Sequence, residues 1–208
     1  NVISYTGTES VVDEFAVTDR GFQFGANADN VVLSDDGIVA NGKSKLVYGA
    51  KEFLFANSTG SLVINGGNGN DSLTAVSLDS TFPEDANLFL QGQVGNDTID
   101  TSGAGRAFVM VGGDGDDVIT GNDSDEVISL DAGNDTINGN GGADLIVATN
   151  LKGAVTLNNT SFSNTVVGGL GTDVISGIEQ AQLSAGTLAA QITAKDFSGV
   201  VTLTGGNG

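Results

Sequence analysis

The chain has 208 residues, of which 32 are Gly and one is Pro, and its 26 acidic against 7 basic side chains leave a net charge of −19. That balance excludes nucleic acid and anionic membrane surfaces as partners and points to cations. The chain has no Cys and no His, which excludes disulfides, thiol catalysis, His-based triads and the sites that zinc, copper and iron favour.

Helix formers are sparse and β-branched residues many, so the expected class is all-β. Residues 1–60 carry short apolar runs: VISY, EFAVT, GFQF, NVVLS, GIVA, KLVYG and EFLFA. Gly, Asn, Asp and Ser turns separate them, the pattern of many short strands. This region is expected to form coils or a small sheet that caps the repeat-bearing coils after it. A faint internal echo links YTGTES at Tyr5 with YGAKEF at Tyr48 and GIEQA at Gly177.

From residue 61 to 176 the rhythm changes. SLVIN leads into GGNGNDSLT at Gly66, and NLFLQ leads into GQVGNDTID at Gly92. From Gly112 to Val147 four nine-residue units then run without a linker: GGDGDDVIT, GNDSDEVIS, LDAGNDTIN and GNGGADLIV. Their sixth places hold Asp117, Glu126, Asp135 and Asp144, and their eighth places hold Ile119, Ile128, Ile137 and Ile146. Their fourth places hold Gly115, Ser124, Gly133 and Gly142. GGLGTDVIS at Gly168 repeats the pattern with Asp173.

Each unit divides into a glycine turn and a strand of about three residues whose Ile points inward. One such strand buries almost nothing, but stacked copies bury a continuous ribbon. Two units make one coil, so Asp117 is expected above Asp135 and Glu126 above Asp144. Asp71, Asp97, Asp117 and Asp135 then share one edge, with Glu126 and Asp144 on the other. The longer early spacings are taken up on the opposite edge, by DSTFPEDA around Pro83 and GAGR around Arg106. AVTLN and NTVVG are expected to supply one coil without an acidic turn, after which Asp173 returns to the first edge.

Stacked carboxylates a strand spacing apart, about 4.8 Å, repel one another and shift their pKa values upward. A hard divalent cation between the coils relieves this. Carboxylate and turn-carbonyl oxygens suit calcium better than magnesium, which demands rigid octahedral geometry.

GGDGDDVIT, GGNGNDSLT and GGLGTDVIS resemble the GGxGxDxUx nonapeptide of the RTX (repeats-in-toxin) family. GQVGNDTID departs from it at Gln93, and the weak units are GNDSDEVIS, with Ser124 and Glu126 at key places, and LDAGNDTIN, which lacks the opening glycines. The resemblance implies a right-handed parallel β-roll, several calcium ions in the turns, and export by type I secretion. The implied carboxylate ligands are Asp71, Asp97, Asp117, Asp135, Asp144 and Asp173, with Glu126 weaker. Asp114 and the carbonyls of Gly67, Gly69, Gly95, Gly113, Gly115, Gly133, Gly142, Gly169 and Gly171 complete the set.

Residues 177–208 read as further solenoid strands, although AGTLAAQITAKDF also suits a short helix. The closing TGGNG opens another glycine turn, so the chain is expected to be a piece of a longer repeat protein. No apolar run reaches the ~20 residues of a membrane helix, and no membrane insertion is expected. No phosphate-binding Lys succeeds the glycine turns, so no nucleotide site is expected.

Three roles suit such a chain. The first is a non-enzymatic calcium-binding scaffold of a secreted, extracellular or cell-surface protein, of the surface-layer or adhesin type. Its partners would be other copies of itself or cell-surface polysaccharide. The second is the RTX module of a secreted toxin or enzyme. The third is a calcium-dependent β-helix enzyme acting on polysaccharide, with Arg106 or Lys152 as proton abstractor; two Tyr and no Trp argue against a sugar platform.

Overall fold

The computed structural model describes residues 11–165 and 169–206. VISY, YTGTES and Gly168 lie outside the described residues. Among those described there are 18 strands and no helix.

Glycine turns and three-residue apolar strands fold the chain back on itself at short intervals. After β1 (Val11–Asp13), the first coil is made by β2 (Asp19–Gln23) and β3 (Asn30–Asp35). An excursion, β4 (Lys43–Tyr48) and β5 (Lys51–Ala56), precedes the next coil, β6 (Ser61–Asn68) with β7 (Ser72–Ala75). Then come coils β8 (Asn87–Val94) with β9 (Thr98–Asp100), β10 (Val109–Asp114) with β11 (Val118–Thr120), and β12 (Val127–Ser129) with β13 (Thr136–Asn138). The chain closes with β14 (Leu145–Leu157), β15 (Ser161–Asn164), β16 (Gly171–Ser176), β17 (Gln180–Ala194) and β18 (Val200–Thr204).

The coils build two parallel faces. One stacks β2, β6, β8, β10, β12, the start of β14, the start of β17, and β18. The other stacks β3, β7, β9, β11, β13 and β16. Alternate side chains on each face point inward, and one such row on each face continues from coil to coil. Ile64, Leu90, Met110, Ile128 and Ile146 are in register on the first face. Leu73, Ile99, Ile119, Ile137 and Ile175 are in register on the second. All ten are at most 1% exposed. The eighth-place Ile residues are therefore the core, as the nine-residue period predicts.

Antiparallel strands extend the second face at both ends. β3, β4 and β5 form a meander, with β1 parallel to β5. Its aromatics fill a wider interior, with Phe22 against Phe55 at 5.1 Å and Phe24 against Tyr48 at 5.0 Å between ring centroids. At the other end β14, β15 and β16 also pair antiparallel. The expected coil through AVTLN is met only in part: Ala154–Leu157 pair in parallel with Gln191–Ala194, but the chain then reverses after Leu157 and pairs antiparallel through β15 with β16. The helix considered for AGTLAAQITAKDF is also absent, since β17 runs through Ala194. Ala190–Ala194 pair in parallel with Gly153–Leu157, and this tertiary pairing overrides the local helix preference of Ala.

The two long connections lie on one edge, between β7 and β8 and between β9 and β10. Arg106 ties them together, its Nη1 and Nη2 donating to the carbonyls of Phe82 at 2.9 Å and Pro83 at 2.8 Å. Its guanidinium also lies over the Phe82 ring.

Candidate metal centre

From β2 to β13, each passage from the first face to the second is a turn that ends in an aspartate, and between β6 and β7, β8 and β9, and β10 and β11 the turn opens with glycine. These turns stack into one edge. Asp71, Asp97, Asp117, Asp135 and Asp173 are all at most 3% exposed. Each backbone N–H in the row donates to Oδ1 of the next aspartate: Asp71 to Asp97 at 2.7 Å, Asp97 to Asp117 at 2.7 Å, Asp117 to Asp135 at 2.9 Å, and Asp135 to Asp173 at 3.1 Å. The ladder keeps its register although the sequence intervals vary as 26, 20, 18 and 38 residues.

That bond uses one oxygen of each carboxylate. The other, Oδ2, is buried without a hydrogen-bond partner in Asp71, Asp97, Asp117 and Asp173. Room for it comes from the first glycine of the turn. A Cβ on Gly92 would collide with Asp97 Oδ2 and the Gly112 carbonyl, so a carboxylate oxygen and a carbonyl oxygen of the next coil converge where that side chain would be. Gly66 holds the same place beside Asp71 Oδ2 and the Gly92 carbonyl. Gly95, at φ +133°, presses against the Gly69 carbonyl, where only glycine fits.

The opposite edge carries a shorter row. The Glu126 N–H donates to Asp144 Oδ1 at 2.8 Å, and the Asp144 N–H to Glu179 Oε2 at 3.0 Å. Glu126 Oε1 and Asp144 Oδ2 are buried without partners. Gly121 and Gly139 leave the same kind of cradle, each facing one carboxylate oxygen and one carbonyl, from Gly139 and Gly177 respectively.

Burial is the main cause of raised carboxyl pKa values in both rows, and neighbouring carboxylates add to it. Asp117, Glu126 and Asp173 are pushed up to about 7, and Asp135 and Asp144 to about 6. Asp71 and Asp97 move in the same direction.

Outside the aspartate ladder runs a second, solvent-facing one of opposite direction. The N–H groups of Asn96, Asp116, Asn134 and Thr172 donate back to the Oδ1 atoms of Asn70, Asn96, Asp116 and Asn134. Asp114 faces solvent, and its carbonyl accepts the Gly95 N–H at 2.8 Å.

Three acids outside the sequence-derived set join the edges. Asp29 begins the first row: its N–H donates to Asp71 Oδ1 at 2.8 Å, and its own Oδ1 accepts the Tyr48 hydroxyl at 2.9 Å. FGANAD carries Phe24 and Asn27 where glycines belong, but Asp29 stands two before buried Val31 as Asp71 stands two before Leu73. Glu179 extends the second row and stands two before buried Ala181. Asp131, in the LDAGND turn, has a buried Oδ2 without a partner.

A buried acceptor without a donor is costly, and these unpartnered oxygens recur coil after coil. Among the described residues no three acidic side chains gather round one point. A cation here would take one or two carboxylates and complete its shell with turn carbonyls. The residues present fit that all-oxygen, mixed donor set, which suits calcium.

The family model for the RTX calcium-binding nonapeptide repeat matches the chain in four copies, at residues 63–75, 109–137, 120–150 and 159–177. No curated protein and no solved structure gives a significant match.

Proposed function

We propose, for a chain that carries RTX calcium-binding nonapeptide repeats and with them several calcium sites, that it is a structural module of a secreted bacterial surface protein which folds when calcium binds outside the cell. The observation that carries this reading is the repeated buried carboxylate oxygen without a partner, in Asp71, Asp97, Asp117 and Asp173 on one edge and Glu126 and Asp144 on the other. These residues, with Asp135 and the neighbouring glycine carbonyls, are the proposed ligands.

In this reading the chain's own charge is the switch. At −19 the metal-free chain repels itself, and its two acid rows cannot all ionise while buried. Binding several calcium ions neutralises the rows and couples ligation to folding. At free calcium ten times the dissociation constant, each site adds about 1.4 kcal/mol. RTX repeats are typical of secreted proteins, and among the described residues no helix is long and apolar enough to cross a membrane. A non-catalytic role is supported by Arg106, whose guanidinium is committed to two loop carbonyls.

Sedimentation velocity tests the surface role. A calcium-assembled scaffold sediments as an expanded monomer in chelator, and as compact species that associate further with rising calcium. A compact monomer at every calcium level would contradict the assembling role and reduce the module to one that only folds.

A further inference from the structure

The Leu130–Asp135 turn breaks the pattern of its neighbours in two places. Leu130 stands where Gly66, Gly92 and Gly112 leave room for a carboxylate oxygen, and its side chain is 4% exposed in the core. The glycine cradle is therefore lost in this coil, and Asp135 contributes no buried oxygen without a partner. Asp131 stands next, in register between Gly113 of one coil and Gly169 of the other, where the nonapeptide has glycine. Its Oδ2 is buried without a partner, as those of Asp117 and Asp173 on the flanking coils are. Asp117 Oδ2, on a residue 1% exposed and likewise unpartnered, lies against Gly112, the neighbour of the glycine in register with Asp131.

We infer that Asp131 is a calcium ligand of its own, replacing the lost glycine cradle and binding a cation between the Gly112–Asp117 and Leu130–Asp135 turns. This rests on the calcium-binding function proposed above and changes the rank of its sites. A turn that departs from the repeat thus sets two carboxylates with unpartnered oxygens, Asp117 and Asp131, at one site, where the other turns on this edge bring one. Affinity in oxygen-ligand sites rises with ligand charge, so this site fills first and starts the ordering of the roll from its middle.

Equilibrium dialysis of the metal-free chain against calcium, with bound ions counted per chain, tests the assignment. D131N keeps the shape and removes the charge, while D131G restores the glycine of the neighbouring turns. Both are expected to weaken the tightest binding step about tenfold and to leave later steps unchanged. D97N, two coils away, is expected to keep the tightest step and lose a later one. Circular dichroism at saturating calcium checks that each variant is folded. Wild-type binding by D131G overturns the inference, because a turn glycine then does whatever Asp131 does, and unchanged binding by D131N overturns it equally. A wild-type chain that binds no calcium overturns the proposed function itself, a result distinct from a defect confined to one step.

Discussion

Asp117 divides its two carboxylate oxygens between two tasks. Oδ1 takes the Asp97 N–H and locks the register, while Oδ2 stays bare and buried. Asn in its place still accepts the hydrogen bond but carries no charge. D117N is therefore expected to reach the native β signal at saturating calcium and to lose about 1.4 kcal/mol of calcium-dependent stability at ten times the dissociation constant, read from melting curves of variant and wild type at that calcium level. Gln93 is a different case. It holds φ 91° in the place of a turn glycine, a conformation that costs a side chain about 1–3 kcal/mol. Q93G is expected to raise stability by about 1 kcal/mol after glycine's own entropy cost, visible as a higher urea midpoint. The raised carboxyl pKa values also fix a pH dependence. For Asp117, Glu126 and Asp173 the metal-free folded value is about 7, above the ordinary 3.8 for Asp and 4.5 for Glu. The folded state therefore holds these protons more tightly than the unfolded chain. Their contribution to metal-free stability is fully present near pH 4 and is lost as pH rises through 7. In chelator, the β signal is expected to fall between pH 5 and pH 8. Calcium is expected to offset the fall, because deprotonated carboxylates are its ligands.

The coil is the element that carries both the core and the acid rows, because a nine-residue unit fixes them together. Ile128 is 0% exposed and lies in register between Met110 and Ile146. I128A should cost about 2–5 kcal/mol, and because each coil touches only its neighbours, it should weaken calcium binding at Glu126 and Asp144 as well. Equilibrium unfolding and calcium titration of the same variant check both effects. The period made this element legible in the sequence: a buried residue two places after each acid sets the inward strand and the edge together. It failed where the chain leaves the period. Nothing local in AVTLN shows that the chain reverses at Leu157, because β15 and β17, with which this part of β14 pairs, lie later in the chain. Ala190–Ala194 has helix-forming residues, and only the distant Gly153–Leu157 makes it a strand. Asp29 and Glu179 were hidden for a related reason: their turns lack the full glycine signature, but their backbones still stack in register with complete turns.

Across the whole molecule, two rows of buried acid lie along a core of narrow apolar rows, and the chain carries few basic residues to balance them. Among the described residues the acids in ion pairs are Asp13, Glu14, Glu52 and Glu84, none of them a member of either row. The rows are therefore left to metal or to protons, and the stability of the roll becomes a function of free calcium. The most direct measurement of that dependence is far-ultraviolet circular dichroism of the metal-free chain during a calcium titration at neutral pH, with a final return to chelator. The account predicts a weak β signal without calcium, a cooperative gain as millimolar calcium is approached, and reversal on chelation. A full β signal in chelator, with a melting temperature that calcium leaves unchanged, would contradict it.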